Sequence, residues 1–524
     1  MSALGAFTFV LHCHQPFMRL GGRWFHGEEW LHDAIIETYL PLLETLYDLS
    51  EEGVPFHLTL GLSPILAEQL ADPVVLGHFE QYLDERLEAA QKDMHYFEVE
   101  AYNEHLRYLA EWYRDTFLHL KNAFQTRFNR DLIGAFRRLQ DAGLLEIITT
   151  AATHAYLPLL SRDSSLNAQI KTAAVSYQRL FGKAPTSMWL PEYGYRPAQV
   201  TETGEQRPGI EQFLSANGIT SFFVDTHTLT GNAPAGVAAG NVLGTYDVVP
   251  RRYTLPITDR FPNDAHNTTP LSAYFVSEGA SEGDVRSNVA AIARNPRMGQ
   301  QVWGSELGYP RDFDYRGSHL RAGTSGLRYW RITGEKVEAA NRDYYHPDWA
   351  AYKIEQHAEH FAHLVGDQLR SYNQATGSYG LVAATFNADL FGHWWLEGIA
   401  WLGKVLRHLA SSPDVDLTSA TPFLAAHPPS SAMNLHESSW GIGGLHFLWD
   451  NQETHWMWTP IHAAEERMEL LAAHFTAPTD ADRQVLAQAA REVLLMQSSD
   501  WPLLVTTAQG RAYAIRRFSE HAER

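Results

Sequence analysis

The sequence has almost no cysteine. Cys13 is the single one among 524 residues, so no disulfide can form within the chain, and we expect a reducing, cytoplasmic location. Residues 1–6 lack the basic segment of a secretory signal and lead directly into a strand pattern, so we expect no signal peptide. No apolar run reaches the roughly 18 residues that span a bilayer, so we expect a soluble protein without a membrane partner.

Basic residues are also few. Lys and Arg number 41 against 61 Asp and Glu, which gives a net charge of −20. This balance argues against a general nucleic-acid surface and is compatible with a neutral ligand, although solubility alone accounts for it equally well.

Aromatic residues are abundant. The chain has 15 Trp, 23 Tyr and 25 Phe, within a hydrophobic content of 45%. These values indicate a well-packed globular protein with many flat apolar faces. A chain of 524 residues is too long for one small core, so we expect two or three domains.

Apolar, partly β-branched runs alternate with segments of helical spacing. Strands that alternate with helices pair in parallel, and their carboxyl ends meet at one edge, as in barrel enzymes. We therefore predict an α/β fold with a barrel-type site. The predicted strands are 6–11, 56–62, 144–150, 187–195, 220–225, 300–304 and 380–386, and the predicted helices are 28–51, 73–130, 171–181, 209–216, 351–369 and most of the chain beyond 422.

Polar and aromatic residues follow the run 380–386. Asn387 and Asp389 come directly after it, with His393 and two tryptophans beyond. Aromatic faces cover the apolar faces of a sugar ring, while amide and carboxyl groups bind its hydroxyls. This combination favours a carbohydrate ligand, and Glu192 stands among aromatic residues in a similar way after 187–190. A core strand that ends in a polar turn would show the same residues locally, so the other segments of the chain must distinguish these two interpretations.

Three histidines also fall at strand ends. Strand alternation puts His12 and His14 on one face, and His154 follows the run 144–150. An H-x-H pair could ligate zinc, but a tetrahedral site needs further ligands, so hydrogen bonding to a substrate is favoured. With an acidic partner such as Asp225, the pair would suit a metal-dependent carbohydrate deacetylase, which stays a competing hypothesis.

Five motifs along the chain carry a family resemblance. They are His12-x-His14-Gln-Pro, Trp189-Leu-Pro-Glu192, Val302-Trp303 with Gly308-Tyr-Pro310, Leu390-Phe-Gly-His-Trp-Trp395 and Ser439-Trp-Gly441. In this order they resemble glycoside hydrolase family 57, and most closely its 1,4-α-glucan branching enzymes. The resemblance implies an incomplete (β/α)7 TIM-like barrel formed by 1–72 and 131–421, a helical insertion at 73–130 and a helical C-terminal domain at 422–524. It also implies a retaining enzyme that acts on α-glucans without a metal or other cofactor.

The resemblance assigns roles to single residues. Glu192 occupies the place of the catalytic nucleophile, and Asn387 occupies the place where the family has its acid/base aspartate. Asp389 falls on a neighbouring acidic position, on the same strand face as Asn387 if the backbone stays extended. Together with the residues noted above, the expected substrate-binding set is His12, His14, His154, Tyr246, Arg294, Trp303, Arg311, His393, Trp440, Trp449 and Asp500. Tyr246 would sit on an active-site loop within the irregular segment 226–288, and Arg311 replaces an expected glycine.

Asn387 is the sharpest departure from the family pattern. An amide has no proton to exchange at neutral pH, and general acid–base catalysis is worth about 10²- to 10⁴-fold. Three explanations compete: a natural homologue with weak or lost activity, an introduced Asp→Asn change, or transfer of the role to Asp389. The function is accordingly a branching-type transferase, with a catalytically silent glucan-binding homologue and an α-amylase or 4-α-glucanotransferase as alternatives.

Overall fold

Seven parallel strands form the centre of the molecule. The computed structural model describes residues 3–524 except 23–26, 201–203, 205, 232–241, 244–247, 250–267, 279–285, 305–307, 324 and 335–336. The strands are β1 (Gly5–Cys13), β2 (Leu58–Leu62), β3 (Leu145–Ile148), β4 (Ser187–Trp189), β5 (Ser221–Val224), β6 (Arg286–Ala293) and β7 (Gly380–Asn387). Each pairs in parallel with the next in chain order from β1 to β6, and β1 also pairs with β7.

The ring of strands is incomplete between β6 and β7. Between these two strands and the residues that follow them, the described backbone contributes one hydrogen bond, from the Asn295 amide to the Ala383 carbonyl at 2.8 Å. The fold is therefore an incomplete seven-stranded α/β barrel, as predicted. Alternate residues of each strand fill the barrel interior, and the inward apolar side chains include Ala6, Val10, Ile148, Trp189, Phe223, Ile292, Leu381 and Ala383.

Helices surround the strands. Their bounds are Glu28–Ala34, Leu40–Glu51, Pro64–Leu70, Pro73–Val99, Glu104–Asn122, Leu132–Asp141, Asp163–Phe181, Ile210–Ala216, Thr226–Thr230, Pro296–Trp303, Pro347–Thr376, Gly398–Ala410, Ala420–Ala426, His455–His474, Asp480–Met496, Asp500–Thr507 and Arg511–Glu523. Two π-helical turns, Ile35–Tyr39 and Ala123–Arg127, continue neighbouring helices. Short strands also occur at Gln199–Val200, Gln206–Arg207, Val242–Leu243, Val248–Val249, Ala273–Ser277, Val415–Leu417 and Ala432–Met433. None of the described helices is long and apolar enough to cross a membrane.

The predicted helical insertion contains two long helices that pack against each other, Pro73–Val99 and Glu104–Asn122. The first begins where the Asp72 side chain accepts the Val74 amide at 2.8 Å, with proline at the first helical position. Their apolar faces join the same hydrophobic core as the outer barrel face and the C-terminal helices. The division into domains at 73, 131 and 422 stays a prediction.

The predicted strand at 300–304 is wrong, because these residues belong to the helix Pro296–Trp303 and the turn after it. The Asn295 side chain accepts the amides of Arg297 and Met298, and this cap starts the helix. Met298 and Val302, four residues apart, are buried on one helical face. The sixth strand instead lies at Arg286–Ala293, whose first residues fall within the segment expected to be irregular.

Candidate active site

Glu192 lies at the carboxyl end of β4, in a short turn at Pro191–Tyr193. Its backbone is left-handed, with φ 60° and ψ 20°. Tyr193 and His154 also have positive φ, at 51° and 57°. Such conformations cost about 1–3 kcal/mol each for residues with a side chain and cluster at functional sites. Three of them around one carboxylate mark this end of the barrel as the candidate site.

The Glu192 carboxylate is buried and held by two donors. Trp440 Nε1 donates to its Oε2 at 2.5 Å, and Ser499 Oγ donates to its Oε1 at 2.8 Å. Burial raises the pKa of Glu192, while the hydrogen bonds from Trp440 and Ser499 oppose that rise. The carboxylate is thus fixed in orientation by residues far away in the sequence.

A row of histidines adjoins Glu192. His154 Nδ1 lies 3.7 Å from Glu192 Oε1 and 2.9 Å from Ser499 Oγ, and its Nε2 lies 3.0 Å from His12 Nε2. Burial, together with the neighbouring imidazoles, holds the pKa of His12 and His154 well below the ordinary value. Both rings are therefore neutral, and their nitrogens are engaged with each other and with Ser499, so the pair forms a fixed polar wall beside Glu192.

His14 pairs with Asp500 across the site. His14 Nε2 lies 3.0 Å from Asp500 Oδ2, and its Nδ1 lies 2.9 Å from Ser63 Oγ. Burial alone would raise the pKa of Asp500, but the His14 imidazole holds it below the ordinary value. The pair joins the end of β1 to the start of the helix Asp500–Thr507.

Among the described residues, ligand atoms of His14, His154 and Asp500 lie within 4.8 Å of one another. The rings of His14 and His154, however, stack at 3.8 Å with 12° between their planes. Lone pairs in the planes of stacked rings run side by side and do not converge on one cation, so this arrangement suits hydrogen bonding better than a tetrahedral metal site.

The metal set proposed for a deacetylase does not form. Asp225 is paired with Arg294, whose Nη2 lies 2.8 Å from Oδ2, and neither Asp225 nor His12 belongs to the cluster that could share a cation. Arg294, expected to bind sugar, is thus held beside the Tyr193 ring, 5.9 Å from its centroid.

Asn387 is the last residue of β7 and is exposed. Its register partner on β1 is His12, which contacts His154. Two residues earlier on the same strand face, Thr385 Oγ1 lies 2.5 Å from the Tyr193 hydroxyl, next to Glu192. Asn387 and Glu192 therefore lie around the same end of the barrel.

Asp389 departs from the expected geometry. The strand ends at Asn387, and residues Ala388–Leu390 form a 3-10 turn, so the two side chains do not share an extended strand face. Burial raises the pKa of Asp389, and the nearby His393 opposes the rise. The carboxyl of Asp389 interacts with His14 at the site as well as with Cys13 and Tyr39, which belong to the core outside the barrel interior.

The expectation for Trp449 needs correction, whereas the expected sugar-binding role of His393 stays a prediction. Trp449 was expected to line the sugar site, but it is fully buried, stacked on Tyr156 at 4.2 Å and packed edge to face on Trp440 at 5.6 Å. It therefore supports Trp440 from behind. His393 is buried too, and its Nδ1 lies 2.6 Å from Glu37 Oε2.

Three further expected residues lie on other segments of the chain. Trp303 is half-buried at the end of its helix, and Arg311 is exposed in the turn Tyr309–Arg311. Tyr246 lies outside the described residues. Sequence reasoning missed Ser499, whose only signal was its place beside Asp500. It also missed Glu37, which no strand end or motif marks.

A barrel with a buried, oriented carboxylate at the carboxyl ends of its strands, lined by tryptophan and histidine, defines a barrel-type enzyme with a carboxylate-centred active site. The model of glycosyl hydrolase family 57 matches residues 8–289, and that of the 1,4-alpha-glucan branching enzyme C-terminal region matches residues 460–524. The chain belongs to glycosyl hydrolase family 57.

Relatives match over the whole chain. A 1,4-alpha-glucan branching enzyme of Thermococcus kodakarensis is 38% identical, over 99% of this chain and 72% of that protein. Its crystal structure superimposes with a TM-score of 0.87, covering 99% of this chain and 89% of that one. The branching enzyme of Pyrococcus horikoshii gives 37% identity and a TM-score of 0.85, over 99% and 88% of the two chains. The alpha-amylase AmyC of Thermotoga maritima gives 27% and 0.81, over 99% and 92%.

Proposed function

We propose that this chain has the site of a retaining 1,4-α-glucan branching enzyme, with Glu192 as nucleophile and slow turnover because of Asn387. The observation that carries the proposal is the Glu192 carboxylate, aimed by Trp440 and Ser499 beside neutral histidines. The branching enzymes among its relatives at 37–38% identity support the α-glucan substrate.

In this mechanism a Glu192 oxygen attacks the anomeric carbon and the glycosidic C–O bond breaks, with the electron pair leaving on the oxygen of the departing glucan. The glycosyl ester is then opened by a sugar 6-hydroxyl, which forms a branch, or by water, which gives hydrolysis. The departing oxygen needs a proton, and the later acceptor must lose one. An aspartate at position 387 would serve both steps, whereas the Asn387 amide serves neither.

The experiment that tests this proposal restores a carboxylate at position 387. We expect Asn387→Asp to raise glucan transfer at least about tenfold, because the missing general acid–base step is worth about 10²- to 10⁴-fold. Transfer is measured from the fall in iodine absorbance of amylose and from new α-1,6 linkages. Asp389→Asn is the matched control and should leave the restored activity in place. No gain from Asn387→Asp, with loss of existing activity in Asp389→Asn, would show that Asp389 carries the role.

A second candidate is a catalytically silent glucan-binding protein, which Asn387 itself favours. It differs in one readout: amylose keeps its chain-length distribution during long incubation although it binds to the protein. Hydrolysis or disproportionation would instead shorten or redistribute the chains without new branches, and would point to the α-amylase or 4-α-glucanotransferase alternatives.

A further inference from the structure

A large cavity lies between the helical insertion and the outer helices of the barrel. Its volume is about 580 Å³, within the range of about 300–1,000 Å³ typical of small-molecule sites. Trp112 and Tyr113 of the helix Glu104–Asn122 line it together with Arg316, Arg328 and Glu397, and Arg316 Nη1 donates to the Tyr113 hydroxyl at 3.1 Å. None of the residues placed above around Glu192 lines it, so it is separate from the candidate active site.

The walls are mainly apolar, with flat aromatic surface. Phe117 and Tyr345 add to the rings of Trp112 and Tyr113, and aliphatic side chains such as Ile354 complete the lining. Aromatic and aliphatic surface of this kind covers the C–H faces of a sugar ring. It would not by itself distinguish a sugar from another apolar ligand.

The charges of the lining residues bear on which ligand fits the cavity. Five arginines and five carboxylates line the cavity, namely Arg86, Arg127, Arg316, Arg321 and Arg328 with Asp33, Glu37, Glu44, Asp48 and Glu397. The two signs balance, so the cavity has no excess charge that would favour a phosphate or a cation. Several of these groups pair with one another, such as Arg127 with Asp48 and Arg328 with Glu37. A lining without net charge that includes aromatic rings fits a neutral ligand with hydroxyl groups.

Two buried guanidinium groups have spare donors. Arg316 and Arg328 are 4% and 6% exposed. Arg316 Nε and Nη2 and Arg328 Nε have no hydrogen-bond partner among the described residues. Arg316 Nη2 is 3.6 Å from Glu37 Oε1, an ion contact longer than a hydrogen bond. These nitrogens are enclosed by protein, so they make the wall polar without facing the cavity.

The cavity wall is tied to the turn that follows β7. Glu37 accepts from Arg328 Nη1 at 2.5 Å through one oxygen and contacts His393 Nδ1 at 2.6 Å through the other. A smaller cavity lined by His393 and Trp394 shares Arg321 and Arg328 with the large one. The two cavities therefore adjoin, and the smaller one leads toward the segment that begins with Asn387.

We propose that the large cavity binds a short α-1,4-glucan segment and is a second carbohydrate site of this protein. The proposal rests on the proposed function for its choice of sugar. Trp112 and the other rings cover the sugar faces, and the accessible charged groups of the lining, Asp48, Arg127 and Arg321, bind the hydroxyls. Occupied together with the active site, the cavity would hold one chain, or a distant part of the same chain, against the enzyme.

The test is calorimetric titration of maltoheptaose into the full chain carrying Glu192→Gln, which prevents turnover. We expect two classes of binding site. Thr116→Trp, which places an indole into the cavity, and Trp112→Ala, which removes one wall, should each weaken one class at least tenfold and leave the other unchanged. Leu118→Trp and Tyr108→Ala, exposed positions on the same helix that do not line the cavity, are the matched controls.

The outcomes separate the two proposals. A single class of site that neither cavity variant affects overturns the second site and leaves the proposed function standing. Absence of any maltoheptaose binding overturns the proposed function and this inference with it. Binding of glucose 1-phosphate that Thr116→Trp abolishes, without a second class for maltoheptaose, also overturns the assignment to a neutral glucan. Thermal unfolding identifies a variant that fails to fold, and the other cavity variant then decides.

Discussion

Glu192 has surroundings that act on its carboxyl in opposite directions. Burial favours the neutral acid, while the donors Trp440 and Ser499 favour the carboxylate. In the proposed mechanism Glu192 acts in its ionised form, and the two hydrogen bonds favour that form against the effect of burial. Ser499 also contacts His154, and one hydroxyl therefore orients both neighbours.

We expect Ser499→Ala to move the acidic limb of the kcat/KM profile upward by about one pH unit, measured on the Asn387→Asp background. A hydrogen bond to a charged group is worth about 1.5–3 kcal/mol, and one pKa unit corresponds to about 1.36 kcal/mol. The sign follows from the donor: its loss destabilises the carboxylate, raises the pKa of Glu192 and requires a higher pH for ionisation. Thr507→Ala, whose hydroxyl donates to the Leu503 carbonyl at 2.9 Å on the same helix, should leave the limb in place. An unshifted limb in Ser499→Ala would remove this role from the hydroxyl.

At the scale of elements, the turn after β7 determines the positions of Asp389 and His393. The strand ends at Asn387, a 3-10 turn follows, and Gly392 has φ +95°. A Cβ at Gly392 would lie 1.7 Å from the Glu37 carbonyl oxygen. The turn can thus approach the Ile35–Tyr39 segment only because residue 392 lacks a side chain, and this approach puts His393 against Glu37.

We expect Gly392→Ala to lower the free energy of unfolding by at least about 3 kcal/mol, because it adds a backbone clash to left-handed strain. Urea unfolding measures the change. Gly377→Ala is the matched control, since Gly377 has φ +69° and nothing within 4 Å of the added carbon. It should cost only about 1–2 kcal/mol from backbone strain. Equal losses in the two variants would show that the turn relaxes around the new methyl group.

At the scale of the whole molecule, the C-terminal helices complete the active site. Ser499 and Asp500 come from this region, and the Ser499 amide donates to the His154 carbonyl at 3.0 Å. Glu465, on the helix His455–His474, fixes the contact: its Oε2 accepts the amides of Ser161 and Arg162 at 3.0 and 3.1 Å. Its Oε1 accepts from Gln497 at 2.9 Å, two residues before Ser499.

We expect Glu465→Ala to destabilise the protein by about 3 kcal/mol or more, because several buried donors lose their acceptor. Thermal unfolding reports the loss, and faster hydrogen exchange in residues 497–500 would locate it. Glu466→Ala, at a side chain that is 61% exposed and 3.5 Å from Arg162, should cost no more than about 1 kcal/mol. Similar losses from both substitutions would show that the buried acceptor has no special part in joining the two regions.

Sequence patterns predicted much of the barrel, because buried parallel strands are continuous apolar runs that stand out from helical spacing. The runs containing β1, β2, β3, β4, β5 and β7 were all identified, and the ends of these strands gave His12, Glu192 and Asn387. The sixth strand was predicted at 300–304 but lies at Arg286–Ala293. Residues 300–303 belong instead to a helix, and the start of that helix depends on the Asn295 side chain. Trp449 was wrongly predicted to line the sugar site, because the sequence does not show which tryptophan faces a ligand and which packs behind another ring.

The sequence by itself determined the family resemblance, the alternation of strands and helices, and the presence of an amide at position 387, to which the resemblance assigns the acid/base role, since these depend on residue identity and local spacing. Only the tertiary structure decided which side chains hold Glu192, where Asp389 turns, and that a balanced set of charges lines a cavity beside the insertion. These features join residues more than 300 positions apart, such as Glu192 with Ser499. Contacts of that kind arise when separate elements pack together, and no local pattern of residues encodes them.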